Sequence, residues 1–242
     1  MAQSLSKMRS RFFLAKHIFY QNVDGHFIIL DLRKNDYFLL LEPEKYVFQV
    51  LFENQGSLGK NHPYDLEQTI EKLLRKGILT DCTNKAKHES PSQLPPVSQD
   101  MNEYFVDGTP KIQIQHVWTC LKAFLYTKLI WWLNPMEGVI RKIAKRKERE
   151  LAENPPEVSF EQVRELVEIF RVLRGQFYTV QDECLFDSLT MINFLASYGI
   201  YPQLVFGVQM GPFSAHAWVQ NGDRIYNGHI FQAAAFKPIM IV

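Results

Sequence analysis

Residues 184–199 read CLFDSLTMINFLASYG, and the chain runs on to residue 227 as IYPQLVFGVQMGPFSAHAWVQNGDRIYN. In the first block Leu185, Leu189, Ile192, Leu195 and Ala196 recur at helical spacing. That spacing predicts a helix over Cys184–Tyr198 with Cys184 at its start. Leu204–Met210 is apolar and bounded by turn residues, which predicts a strand. Ala215–Gln220 and Arg224–Asn227 flank Asn221-Gly222, a hairpin turn signal. A helix followed by antiparallel strands specifies an α+β domain.

The same stretch carries the chemistry. A thiol at a helix N-terminus sits at the positive end of the macrodipole, which favours a thiolate. The first N–H groups of such a helix have no intrahelical partner and can hold an oxyanion beside the sulfur. His216 lies 32 residues after Cys184, in the alternating run Ala215-His216-Ala217-Trp218-Val219. Alternation places His216 and Trp218 on one face of a strand. A strand histidine packed across a helix-start cysteine is the thiol–imidazole arrangement of papain-like enzymes. Taken singly, Cys184 reads equally well as a buried structural thiol and His216 as a satisfied core histidine.

Outward from this stretch, the 242 residues carry a net charge of +1, so no whole-molecule field points to nucleic acid or to an acidic partner. The three cysteines, Cys82, Cys120 and Cys184, are odd in number and widely spaced, against a disulfide framework and against a zinc site. No metal or other cofactor is expected. Reduced thiols suit a cytoplasmic setting, and MAQSLSKMRSRFF lacks the apolar core of a signal peptide. Val117–Leu133 is the most apolar run, but it is short for a span and interrupted by Lys122 and Lys128. It is expected to be a core helix with its lysines on the wet face, within Ile112–Leu133, and no stable membrane insertion is expected. Glu137–Glu150 is expected to be a helix with a solvated, charged face.

Residues 81–100 contain three prolines and little to bury, which suggests a linker. The expected division is 1–82, a linker over 83–100, and 101–242. The first part reads as strands Lys16–Gln21, His26–Leu32 and Asp36–Leu41. A helix begins near Pro43, and Tyr64–Lys76 forms another that stops at Gly77. This is a winged-helix-like module with a three-stranded antiparallel sheet. Its last helix carries Asp65, Glu67 and Glu71, which disfavours entry into a DNA groove. Strand Asp36–Leu41 is expected to accept an extended peptide by β-augmentation, with Tyr37, Leu39, Ile70, Leu73 and Leu74 forming the contact.

Cys184-Leu185, Ser188-Leu189, Tyr198-Gly199, Phe206-Gly207-Val208 and Pro212-Phe213-Ser214-Ala215-His216-Ala217-Trp218-Val219 resemble the leader-cleaving peptidases of lasso-peptide biosynthesis, which are bacterial transglutaminase-like proteins. Phe236-Lys237-Pro238-Ile239 also looks familial. The resemblance spans about residues 182–242. Asp24-Gly25, Ile29-Leu30-Asp31-Leu32, Tyr37-Phe38-Leu39-Leu40 and Gly77-Ile78-Leu79 resemble, more loosely, the family's leader-recognition half. That half is similar to the small chaperone of pyrroloquinoline quinone biosynthesis. The resemblance implies a papain/transglutaminase-like cysteine-peptidase domain fused to a leader-recognition domain. It also implies two partners: the leader region of a precursor peptide, and a lasso cyclase of the asparagine-synthetase-like type.

One position departs from the pattern. The family carries an Asp twelve residues after the His, and here that position is Gly228. If Asn221-Gly222 is a two-residue turn, His216 sits opposite Asn227, which can orient an imidazole as asparagine does in papain-like enzymes. If the loop has three residues, Gly228 is opposite. Asp223 reads as a turn residue. A backbone or water substitute, or impaired catalysis in a leader-binding protein, remain alternatives, as does acyl transfer by the same Cys–His pair.

Overall fold

The computed structural model describes residues 10–53, 64–86, 94–101, 110–153, 158–178 and 184–242. The basic N-terminal segment before residue 10, the Gly56–His62 connection and residues 87–93 of the expected linker lie outside them. The chain divides into two compact units, Met1–Ser90 and Pro91–Val242, each described by itself below.

In the first unit, strands β2 (Ile18–Val23), β3 (His26–Asp31) and β4 (Asp36–Leu39) form an antiparallel sheet in that order. Val23 pairs with His26, so Asp24-Gly25 is a two-residue turn. Its φ angles of 51° and 81° are the paired positive values a type I′ turn requires. The Asn22 side chain accepts the Gly25 N–H at 2.9 Å. Helices α1 (Glu44–Phe52) and α2 (Leu66–Arg75) cover one sheet face. Asp65 caps α2 by accepting the Gln68 N–H, and Gly77 at φ +70° ends it as expected. Phe27, Ile29, Phe48, Ile70 and Leu73 meet in the core. Two short strands went unforeseen. These are β1 (Phe13–Leu14) and β5 (Leu79–Thr80), paired with each other.

The expected linker is shorter than 83–100 because both of its ends join a unit. Thr83–Lys85 is a 3-10 turn, and Ala86 bridges to Ala15. At the other end β6 (Gln99–Asp100) pairs with Arg224 and Ile225, and Gln220 donates to the Pro95 carbonyl at 3.0 Å.

The second unit is built on a five-stranded sheet in the order β10 (Lys237–Ile241), β7 (Gln203–Gln209), β8 (Ser214–Asn221), β9 (Arg224–Ile225), β6. All pairs are antiparallel except β6 with β9. Its helices are α3 (Ile114–Leu133), α4 (Met136–Ala152), α5 (Phe160–Arg174), α6 (Cys184–Ala196) and the short α7 (Ile230–Ala234). Helix α6 lies against β8, and α3 and α5 both pack on α6. The architecture is α+β in both units. Of α4's basic residues, Arg141, Lys142, Lys145 and Arg149 are exposed as expected. Lys147 instead reaches inward and donates to the Pro202 and Val242 carbonyls, both at 3.3 Å.

Helix α3 has Lys122 and Lys128 on the wet face as expected, but most of its bulky apolar side chains are on the outside with them. Its buried stripe is His116, Cys120, Ala123, Thr127 and Ile130, while Trp118, Leu125, Leu129 and Trp132 are exposed. Small and polar groups let the two helices approach closely, and Asn193 on α6 donates to Thr127 Oγ1 at 2.8 Å. Among the described residues no helix is long and apolar enough to cross a membrane.

Candidate active site

Cys184 is the first residue of α6 and is half-buried. Ser188, one turn later, ties that end of the helix to the sheet. Its hydroxyl lies 2.8 Å from the Cys184 carbonyl oxygen and 3.2 Å from the Ala217 carbonyl oxygen, so the two carbonyls are within about 6 Å of each other. Ala217 follows His216 on β8, so this one hydroxyl joins the start of the cysteine helix to the histidine strand. No hydrogen bond joins the thiol to the imidazole among the described residues, and such contacts commonly tighten only when substrate is bound.

The other cysteines are in different situations. Cys120 is buried in α3, and burial, with the Asp187 charge second, pushes its thiol up to about 12. Cys82 is exposed and belongs to the first unit.

His216 and Trp218 share a face of β8, as alternation predicts. Their rings are stacked at 6.0 Å, and the Phe236 ring lies 5.4 Å from the imidazole, tilted to it. The residue paired with His216 is Gly207. A Cβ there would sit 2.5 Å from Trp218 and 2.8 Å from Phe236, so only glycine lets this aromatic wall close. Burial lowers the His216 pKa below its ordinary value. Its Nε2 is buried and has no hydrogen-bond partner among the described residues.

The hairpin explains why that nitrogen is alone. Asn221 pairs with Arg224, so the turn residues are Gly222 and Asp223, a register one step past the one that sets Gly228 opposite His216 and two past the one that sets Asn227 there. Asp223 is a turn residue as expected. Pairing stops soon after Ile225, because the Asn227 side chain takes over: its Oδ1 accepts the Val219 N–H at 2.7 Å. Its amide nitrogen donates to Asp187 and Ser188, both at 2.9 Å. Asn227 is therefore bonded beneath the start of α6 and makes no hydrogen bond to His216. Gly228, at φ +107°, is the residue beside the imidazole, and a Cβ placed on it would be 3.9 Å from Nε2.

Sequence reasoning missed the network around Asp187. This carboxylate is buried and accepts from Arg174, from the Tyr178 hydroxyl at 2.8 Å and from Asn227. Burial, with the Asp187 charge next, raises the Tyr178 pKa, so the phenol stays protonated as a donor. One charge thus gathers the end of α5, the first turn of α6 and the segment after β9. The signal was present: Asp187 is the one ionic residue in the apolar run after Cys184, and buried charges need partners.

In the first unit the five expected contact residues do not form one surface. Ile70 and Leu73 are core. Phe38 faces that core with its pair Ile29, so Tyr37 and Leu39, paired with Leu30 and Ile28, fall on the opposite sheet face. Leu39 is 38% exposed, and Leu74 is half-buried against the core. The physical reason is the two-residue strand period: successive residues of β4 point to opposite faces, so with Phe38 turned to the helices Tyr37 and Leu39 both face away. Among the described residues there is no cluster of His, Cys, Asp and Glu able to hold a metal.

Residues 128–241 match the family described as Transglutaminase-like superfamily, just under half of the chain. No curated protein and no solved structure gives a match.

Proposed function

We propose that the transglutaminase-like domain formed by residues 128–241 works as a thiol peptidase, and that the chain removes the leader from a ribosomally made lasso-peptide precursor. The observation that carries this is the Ser188 clamp, which sets Cys184, at the start of α6, beside the strand of His216. His216 takes the thiol proton as Cys184 Sγ attacks the carbonyl of the last leader residue, and the first-turn N–H groups of α6 receive the oxyanion. The C–N bond breaks as His216 gives its proton to the leaving amine. Water then cleaves the thioester, releasing the leader acid and restoring the thiol. The core peptide leaves with a free amino group for a partner cyclase of the asparagine-synthetase-like type.

The first unit would hold the leader as an added strand. β4 is an end strand of its sheet, and main-chain hydrogen bonds along it would suit an extended peptide. Of the expected contact residues, Tyr37, Leu39 and Leu74 retain accessible surface. Tethering the leader raises the local concentration of the scissile bond at Cys184.

The orphaned His216 Nε2 favours a second reading, in which the chain binds and delivers the precursor with little turnover of its own. One experiment separates the two. Purified chain and Cys184→Ala are each mixed with precursor, and binding and products are followed together. Peptidase function predicts leader release by the parent chain only, with equal leader affinity in both. Binding without release by either supports delivery. Cleavage by Cys184→Ala sinks the thiol mechanism, and a mass adduct in place of a shorter peptide would mean acyl transfer.

A further inference from the structure

Helix α3 holds its largest side chains away from the core. Trp132 is 81% exposed, and Leu125 and Leu129 are more than half exposed. They are not scattered. Together with Phe177 and Phe186 they line a cavity of about 920 Å³, and Cys184 lines the same cavity. Phe124 stacks on Phe177 at 5.7 Å and on Tyr178 at 5.9 Å, and Phe186 meets Phe124 and Tyr178 edge-on, giving an aromatic floor. An apolar cavity that opens on a nucleophile is a place for substrate.

Deepening the peptidase reading, we propose that this cavity is the acyl-side subsite, and that it selects substrates with large apolar residues in the three or four positions ending at the scissile carbonyl. Orientation follows from which groups line it. Cys184 lines the cavity, and His216 is not among the described residues that do. The leaving amine must lie within hydrogen-bond reach of its proton donor, so it departs on the His216 side. The acyl portion then runs the other way, along α3. Length follows from helix geometry. Phe124 to Trp132 spans eight residues, about 12 Å at 1.5 Å each. An extended peptide covers that distance in three to four residues at about 3.3 Å each. Among the described lining residues Lys128 is the one ionic side chain, and its ammonium lies 5.7 Å over the Phe124 ring, so the surface these residues offer to the peptide is almost wholly apolar.

The test uses the full chain and peptidyl chloromethyl ketones, in which thiolate displaces chloride to leave a thioether. Acetyl-Leu-Leu-Phe and acetyl-Ala-Ala-Gly chloromethyl ketones are compared by mass spectrometry, with exposed Cys82 as internal standard. The expected result is labelling of Cys184 at least tenfold faster by the first probe, and collapse of that ratio in Leu129→Glu. Equal rates, or a ratio that survives Leu129→Glu, overturn the subsite. A Cys184 no more reactive than Cys82 counts against the peptidase reading alone. In that case binding of acetyl-Leu-Leu-Phe amide to Cys184→Ala, read by tryptophan fluorescence, decides the cavity. Saturable binding lost in Leu129→Glu sustains it, and no saturable change overturns it. Vesicle binding sensitive to Leu129→Glu, with no preference between the ketones, would make this face a membrane contact and overturn the subsite.

Discussion

Gly228 is the residue on which the catalytic reading turns. It brings no side chain to a buried nitrogen that has no hydrogen-bond partner among the described residues. Desolvation without a compensating charge holds the imidazole neutral to lower pH than an ordinary histidine. Gly228→Asp should reverse the sign. A carboxylate grown from a Cβ 3.9 Å away would favour the imidazolium and raise the His216 pKa, an upward shift that an NMR titration against His216→Gln detects. Its backbone sits at φ +107°, so the same change should destabilise the fold by about 1–3 kcal/mol. Asp187 works in the opposite way, as a charge that holds its neighbours. Asp187→Ala would leave the Arg174 guanidinium, only 16% exposed, without its carboxylate. A loss of about 3–5 kcal/mol in urea unfolding is expected.

At the scale of elements, the site depends on how closely β7, β8 and the Phe236 segment approach. Gly207→Ala would place a methyl 2.5 Å from Trp218, a fully buried ring with little room to retreat. A loss of about 1–3 kcal/mol and a lowered Tm are expected, with slower alkylation of Cys184 if the His216 wall moves with it. The hairpin teaches the general point. A turn shifted by one residue moves every cross-strand partner, and here Gly222-Asp223 replaced Asn221-Gly222. Helix α3 makes the complementary point. Its apolar residues were legible, but not that the core would take His116, Cys120 and Thr127 and leave Trp132 outside.

For the whole molecule, capture and cutting are expected to be separable. Leu39→Glu sits on an exposed end-strand position of the first unit, away from the shared core of Phe27 and Leu73. It should raise the KM for precursor while leaving the rate of Cys184 alkylation unchanged. Equal slowing of both would mean that the first unit does more than hold the leader.

The local chemistry of the chain was readable from its residues. Helical spacing placed Cys184 at the head of α6, alternation placed His216 beside Trp218, and Asp24-Gly25 and Gly77 specified a turn and a helix stop. These are short-range properties, set by backbone sterics and by a period of 3.6 or 2. What the tertiary structure alone decided was which groups meet across distance. It bound Asn227 to Asp187 and Ser188 instead of to the imidazole. It buried Ile70 and Leu73 beneath the sheet and joined Leu94, Val97 and β6 to the second unit. It also turned α3 so that its bulky face lines a cavity with the thiol. Such outcomes depend on register, helix rotation and the competition of buried polar groups for partners, none of which is set by any residue and its neighbours in the chain.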